Sequence, residues 1–380
     1  MSTITESEIR NILAKCPSEP APHAFMGGCK EVLIYGAGGC GKDVLRLLQA
    51  EGIKVRGFLD SCLPLGSMVA DFQVWHPADA AVSDEDRSGC CVIVGVFNAH
   101  VDIASLVATL RSYGYQHIIT FVEFFRYFPA ELGDRFWLTR TSFYAGRESE
   151  MAAGGALLSD LESRQLYLAL LAYRMTGDYD QLAVPSTGTQ YFDHSLPRWN
   201  TPVSFIDCGS YTGDTIVDLN KQYGPVDTLV AFEPDLDNFA RLAAMMRCAP
   251  ASHAQQLFLY PCGVWSETVM LSFAADVGTS SALSSQGTST VQCMALDDAL
   301  PGFRPTLIKM DIEGAELHAL NGARSMITES RPGLAISAYH TPEHLWEVTL
   351  LLHSWALDYR FYLRCYGQAG FDTVLYAFPG

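Results

Sequence analysis

The stretch that decides the fold runs from Val203 to Gly224 and reads VSFIDCGSYTGDTIVDLNKQYG. A short apolar run ends in Asp207, a glycine turn follows, and apolar residues then recur at helical spacing. Strand, turn and helix in that order open a βαβ unit and hence a parallel sheet. The turn sets Gly209 and Gly213 in a Gly-x-x-x-Gly spacing, flanked by Asp207, Cys208, Tyr211 and Asp214. The next strand, in VDTLVAFEPD, ends in Glu233, 20 residues after Gly213 and well placed for two ribose hydroxyls. The strand after that ends at Cys262-Gly263-Val264, at the level of an adenine ring. Such a turn curls around the methionine part of S-adenosylmethionine (SAM), whose ammonium needs a carboxylate or backbone carbonyls. No pyrophosphate has to be cradled. The cofactor candidates are Asp207, Cys208, Gly209, Tyr211, Gly213, Asp214, Glu233, Cys262 and Gly263. The bland alternative is a generic βα turn with an incidental acid.

A second unit of the same kind stands earlier, in KEVLIYGAGGCGKDVLRLLQAEG from Lys30 to Gly52. Gly36, Gly38 and Gly41 form Gly-x-Gly-x-x-Gly after a strand, a spacing that lets backbone amides approach a phosphate at a helix N-terminus. Asp60 ends the following strand, 19 residues after Gly41, where an acid meets ribose hydroxyls. These four residues are candidates for a second nucleotide site; the alternative is a tight turn that binds nothing. The unit continues through KVRGFLDS, CCVIVGVF, the helical DIASLVATLRSYGY and the strand HIITFVEF. The reading is therefore a Rossmann-like domain over 1–128, a helical connector over 129–202, and a second α/β domain over 203–380.

In the connector, SDLESRQLYLALLAYRMTGD reads as an amphipathic helix with Leu161, Leu168 and Leu171 on one face. The second domain alternates strands and helices, including a helix capped by Thr341 with Pro342 at its first position. It closes with a hairpin formed by YRFYLRCY and DTVLYAFP, so the sheet is mostly parallel with an antiparallel edge strand.

The run LIKMDIEGAE delivers Asp311 and Glu313 at the carboxyl end of a strand, the edge where open α/β sheets bind ligands. Glu316 opens the next helix, where it either caps or functions. His340 ends the strand GLAISAYH at the same edge; Asp311, Glu313 and His340 are the catalytic candidates. The Ser/Thr-rich segment from Gly278 to Thr290 reads as a surface loop or a lid, and Tyr191 and Phe192 as a cover over the cofactor or as connector packing. Among the histidines other than His340, no two stand in a ligand spacing such as His-x-x-x-His on a helix, so no metal is expected.

Composition narrows the class. Hydrophobic residues make up 49% and charged residues 18% of 380, enough for large cores. The net charge of −17 and a pI near 4.9 disfavour nucleic acid and anionic membranes as partners. The 11 cysteines are scattered without Cys-x-x-Cys, which reads as reduced thiols in a cytoplasmic protein. The start MSTITESEIR lacks the basic and apolar blocks of a secretory signal, and no apolar run approaches the ~20 residues that span a bilayer.

With these residues in view, the run from Phe205 to Glu316, with LIKMDIEGAELHALNGA, LDD at 296–298 and AISAYH, resembles the FkbM-type SAM-dependent methyltransferases. The resemblance covers roughly residues 190–378. It implies a seven-stranded methyltransferase sheet and O-methylation of a hydroxyl on a sugar, nucleotide-sugar or natural-product-like small molecule. The N-terminal words IYGAGGCGKDV and VRGFLDS resemble the nucleotide-sugar-holding domain of bacterial sugar acetyltransferases. Two other functions remain open: an NAD(P)-dependent oxidoreductase working through the first domain, and a binding module on a degenerate fold. The first lacks a Tyr-x-x-x-Lys hydride partner; the second leaves the retained acids and glycines without a purpose. Homo-oligomerisation is left open.

Overall fold

The computed structural model describes residues 3–16, 20, 23–64, 66–182, 184–273 and 289–380. Two sheets organise the chain. The first is built from β1 (Glu31–Tyr35), β2 (Val55–Leu59), β3 (Met68–Val69), β4 (Phe72–Trp75), β5 (Cys90–Val94) and β6 (His117–Thr120). Its order is β3-β4-β2-β1-β5-β6, parallel except for the β3/β4 pair. The stretch between Asp60 and Cys90 thus contributes two short strands, β3 and β4. HIITFVEF, read as one strand, stops at Thr120. There the Thr120 hydroxyl and the Glu123 carboxylate cap each other's backbone amides and start the helix Phe121–Phe125.

The second sheet holds β7 (Ser204–Cys208), β8 (Val226–Phe232), β9 (Ala254–Tyr260), β13 (Leu307–Met310), β14 (Gly333–Ser337), β15 (Tyr359–Cys365) and β16 (Thr373–Pro379). Its order is β15-β16-β14-β13-β7-β8-β9. The terminal hairpin supplies the antiparallel pairing: β16 runs against β14, and β15 lies outermost against β16. β7, β8, β13 and β14 are nearly all buried, as strands covered on both faces must be. Three further strands, β10 (Gly263–Val264), β11 (Val269–Phe273) and β12 (Ser289–Met294), make a small separate sheet. The Ser/Thr-rich segment falls mostly outside the described residues, and its last residues, from Ser289, belong to β12.

Helices cover both faces. The connector helix Leu161–Thr176 is capped by Asp160 and stopped by Gly177, as its sequence suggests. Its buried residues are Ser163, Leu166, Tyr167, Leu170, Leu171, Tyr173, Arg174 and Met175, so Leu171 of the expected stripe is buried while Leu161 at the first turn is 57% exposed. The helix Glu6–Leu13 joins this layer: Ile9 is buried with Met151, Leu166 and Leu170 in the core over the second sheet. The two halves meet through aromatic rings, with Phe97 and Phe136 packed on Phe371, and Phe136 stacked on Tyr339 at 6.2 Å. The helix read as starting at Thr341-Pro342 begins at His344 instead. The Pro342 carbonyl accepts a hydrogen bond from the Arg174 guanidinium, which holds that segment outside the helix. Among the described residues, no helix is long and apolar enough to cross a membrane.

Candidate active site

The carboxyl ends of β7, β8 and β13 surround a cavity of about 660 Å³. Its floor is the second glycine turn. Gly209 stands at φ +81, and a Cβ there would collide with the Asp311 carbonyl oxygen, so the turn and the end of β13 approach as only glycine allows. Beneath it lies an ion pair. Asp207 is fully buried with Lys309, whose Nζ stands 3.1 Å from its Oδ1 and donates to the Gly209 carbonyl at 2.6 Å. Burial opposes the Lys309 charge, but Asp207 and then Asp311 outweigh it and raise the lysine's pKa. The ammonium also lies under the Tyr191 ring, 5.4 Å from its centroid. Asp207 therefore shapes the turn from below and does not line the cavity. Cys208 and Gly213 do not line it either, the latter capping the helix Asp214–Tyr223 at φ +96.

Gly209, Tyr211, Asp214, Glu233, Cys262 and Gly263 do face the cavity, as the sequence reading placed them. Glu233 receives the Tyr211 amide at 2.7 Å on one oxygen and the Asp235 amide at 2.9 Å on the other. Each oxygen keeps a lone pair for a further donor. Burial pushes the Glu233 carboxyl up to about 7, against the pull of those two amides.

At the other end of the cavity Asp311 and Glu313 enter from the turn after β13. Glu313 (φ +55) and Gly314 (φ +100) are consecutive left-handed residues, a strained turn of the kind that gathers at working sites. Asp311 Oδ2 accepts from the Tyr191 hydroxyl at 2.8 Å, and Gln190 donates to that hydroxyl at 3.0 Å. Behind them sits His340, with only 2% of its side chain exposed. Its Nε2 lies 3.3 Å from Asp311 Oδ1 and 3.6 Å from Glu313 Oε2, and its Nδ1 lies 2.8 Å from Glu316 Oε1. Burial works against the imidazolium, but Glu316, then Asp311 and Glu313, raise His340 to about 10. Burial also raises Glu313, to about 7, with Asp311 adding to it. Glu316 is fully buried; that alone would raise its pKa, but His340 and then His344 hold it well below the usual carboxylate range.

The structure thus brings all three catalytic candidates together, with His340 behind the other two rather than on the cavity wall. Sequence reasoning missed Lys309, His344 and Asp372. Lys309 sits in a run that reads as plain buried strand. His344 carried a signal, since it stands four residues after His340 and both rings meet Glu316. Asp372, in the turn before β16, lines the cavity beside Tyr339 and has its pKa raised by burial.

The N-terminal candidates are placed differently. A Cβ on Gly41 would collide with the Gly36 carbonyl, so this glycine serves the packing of helix on strand. Asp60 accepts from the Ala37 amide at 3.1 Å through one oxygen and from the Cys62 and Leu63 amides through the other. Its carboxylate ties the loop it sits in to the glycine turn. Gly38 caps the helix Gly39–Ala50 with open space around it.

Along 98% of this chain and 93% of its own, the crystal structure of Methyltransferase FkbM from Methylobacillus flagellatus KT shares the fold, with a TM-score of 0.74 at 22% identity. Aeropyrum pernix fibrillarin with bound SAM aligns over 46% of this chain and 66% of its own, at 8% identity and a TM-score of 0.29. A SAM-dependent methyltransferase from Aquifex aeolicus aligns over 46% and 81%, at 13% and 0.26. No curated protein matches the chain. Residues 207–363, which hold all of the cavity lining except Gln190, Tyr191 and Asp372, match the family model of the Methyltransferase FkbM domain.

Proposed function

We propose that the protein is a SAM-dependent O-methyltransferase acting on a hydroxyl of a small molecule. The observation that carries this reading is one cavity with Glu233 at one end and Asp311 and Glu313 at the other. Its volume lies within the range of small-molecule sites, and the free lone pairs of Glu233 suit the two ribose hydroxyls of SAM. Carboxylates outnumber free cations along the walls, because Lys309 is committed to Asp207. Such a wall suits a cationic donor.

When bound, SAM supplies an electrophilic methyl group on a sulfonium. The chain's residues have to align an acceptor oxygen with that methyl and take its proton as the oxygen–carbon bond forms and the carbon–sulfur bond breaks. Asp311 suits this role by position: it faces the cavity, Tyr191 fixes one of its oxygens, and His340 stands against the other. Glu313 is the second carboxylate within the same turn. His340 has both ring nitrogens turned to carboxylates and no open path to an acceptor, so it acts as the orienting group.

Asp311, Glu313 and Asp372 crowd the acceptor end without an unpaired arginine or lysine among the described lining residues there. An uncharged polyhydroxylated acceptor fits such a wall better than one bearing phosphates. The test is methyl transfer from SAM to a panel of hydroxylated sugars, glycosides and polyketide-like alcohols, read as a gain of one methyl on oxygen. Asp311→Asn should lower turnover by roughly 10²–10⁴-fold, the usual contribution of a general base. Turnover at the wild-type rate in that variant contradicts the assignment of Asp311.

A further inference from the structure

We propose that Asp311, Glu313 and His340 form a binding site for one divalent cation in the wall of the cavity. Acidic clusters are common on protein surfaces, and this one is acidic by three carboxylates. What sets it apart is the histidine. His340 is almost wholly enclosed, and its Nε2 makes no hydrogen bond although Asp311 Oδ1 and Glu313 Oε2 lie 3.3 and 3.6 Å away. Asp311 Oδ1 is likewise without a hydrogen-bond partner. Donor and acceptor at that separation, both enclosed and without a hydrogen bond between them, leave a place for a shared partner.

The spacing agrees. Two ligand atoms about 2.0–2.2 Å from one metal, at tetrahedral or octahedral angles, stand roughly 2.8–3.6 Å apart. The outer layer agrees as well. Glu316 Oε1 faces His340 Nδ1 at 2.8 Å and is itself held by the Ile312 amide at 2.9 Å. A carboxylate on the far ring nitrogen fixes the tautomer and leaves Nε2 as the ligand, the usual second layer of a histidine–metal site. Asp311 and His340 also form, with Glu316, a grouping whose ligand atoms lie within 4.8 Å of one another; Glu316 stands on the far ring nitrogen, so Glu313 takes the third place at Nε2. Charge is compatible with this, since a cation at Nε2 would take over from the imidazolium the carboxylates that surround the ring.

The mixed nitrogen and oxygen donors suit Mn²⁺ or Zn²⁺ better than Mg²⁺. Asp311 and Glu313 reach the cavity, so a cation held there would have a coordination position open to it, where it could grip an acceptor oxygen and ease loss of its proton. That use rests on the methyl-transfer reading; the binding does not. The sequence did not suggest it because the ligands come from two strand ends, 29 residues apart.

The experiment is titration of the metal-free full chain with Mn²⁺ or Zn²⁺, followed by calorimetry and, for Mn²⁺, by loss of the free-ion paramagnetic resonance signal. SAM affinity is measured on the same metal-free sample. The expected result is one saturable site per chain. Affinity should fall more than tenfold in His340→Ala and Asp311→Asn, by about 10–100-fold in Glu316→Gln, and stay unchanged in Asp84→Asn on the exposed helix Asp84–Gly89. Pulsed resonance on the Mn²⁺ complex of the wild type should show coupling to an imidazole nitrogen, which needs no variant to fold. Absence of saturable binding by both ions, absence of that coupling, or binding that survives His340→Ala and Asp311→Asn overturns the proposal. Cation binding without SAM binding would retain this site and refute the methyl-transfer reading; SAM binding alone would do the reverse.

Discussion

The chain contains two glycine turns of nearly the same local grammar, and they end differently. Each follows a parallel strand, opens a helix, and has an acid at the end of the neighbouring strand: Asp60 in the first half, Glu233 in the second. Each acid accepts an amide from the glycine turn, Ala37 or Tyr211, and another from its own loop, Cys62 or Asp235. Glu233, however, stands in the wall of a cavity whose opposite wall carries Asp311 and Glu313. Asp60 ties its own loop to the first glycine turn, and β5, next to β1, is followed by Gly95, packed on Gly41. The lesson is that the glycines and the first acid report a βα turn. The third strand end decides whether the turn becomes a site.

The sharpest way to break this contrast is Gly209→Ala. The added Cβ meets a backbone oxygen at φ +81, costing about 1–3 kcal/mol of strain and displacing the Asp311 turn. Calorimetry should find no SAM binding in a protein with a lowered melting temperature. Glu233→Gln comes next. Hydrogen bonds to a charged group are worth roughly 1.5–3 kcal/mol each, so SAM should bind at least about tenfold more weakly, whereas Asp60→Asn should leave SAM affinity as it is.

A pH series sharpens the same point. The Glu233 carboxyl is raised from its ordinary 4.5 to about 7, so the folded protein holds that proton more tightly than the unfolded chain. Its contribution to the stability of the ligand-free protein is complete below 4.5 and is lost as pH rises through about 7. SAM affinity should run the other way, rising about tenfold per pH unit up to about 7 and then levelling. In Glu233→Gln both slopes should vanish. The smallest effect is expected at Gly38→Ala, where φ is −79 and nothing lies near the new methyl; stability should change by no more than about 0.5 kcal/mol.

Much of this could be read from the sequence, because parallel strands and βα turns are local patterns. The strand–turn–helix units at Glu31–Ala50 and Ser204–Tyr223 needed only periodicity and glycine. The cavity acids could be read because strand ends in such sheets share one edge. What could not be read depends on distant partners. Asp207 looked like a ligand until Lys309, 102 residues on, was found to occupy it. His340 reads as a catalytic candidate at a strand end, yet Glu316 and the Asp311 turn enclose it. Leu161 fitted the helical stripe but precedes the buried turns of its helix. Thr341-Pro342 had the form of a helix start and lost it to a tertiary bond from Arg174.

The central claim is that a single cavity, at the second turn, joins the cofactor end to the acceptor end. A crystal structure of the full chain with S-adenosylhomocysteine tests it most directly. Ribose hydroxyls are expected on Glu233, the adenine beside Cys262 and Gly263, and the sulfur directed toward Asp311 and Glu313. An adenosyl group bound at Gly38 and Asp60, or one at the second turn whose sulfur faces away from Asp311 and Glu313, would contradict it.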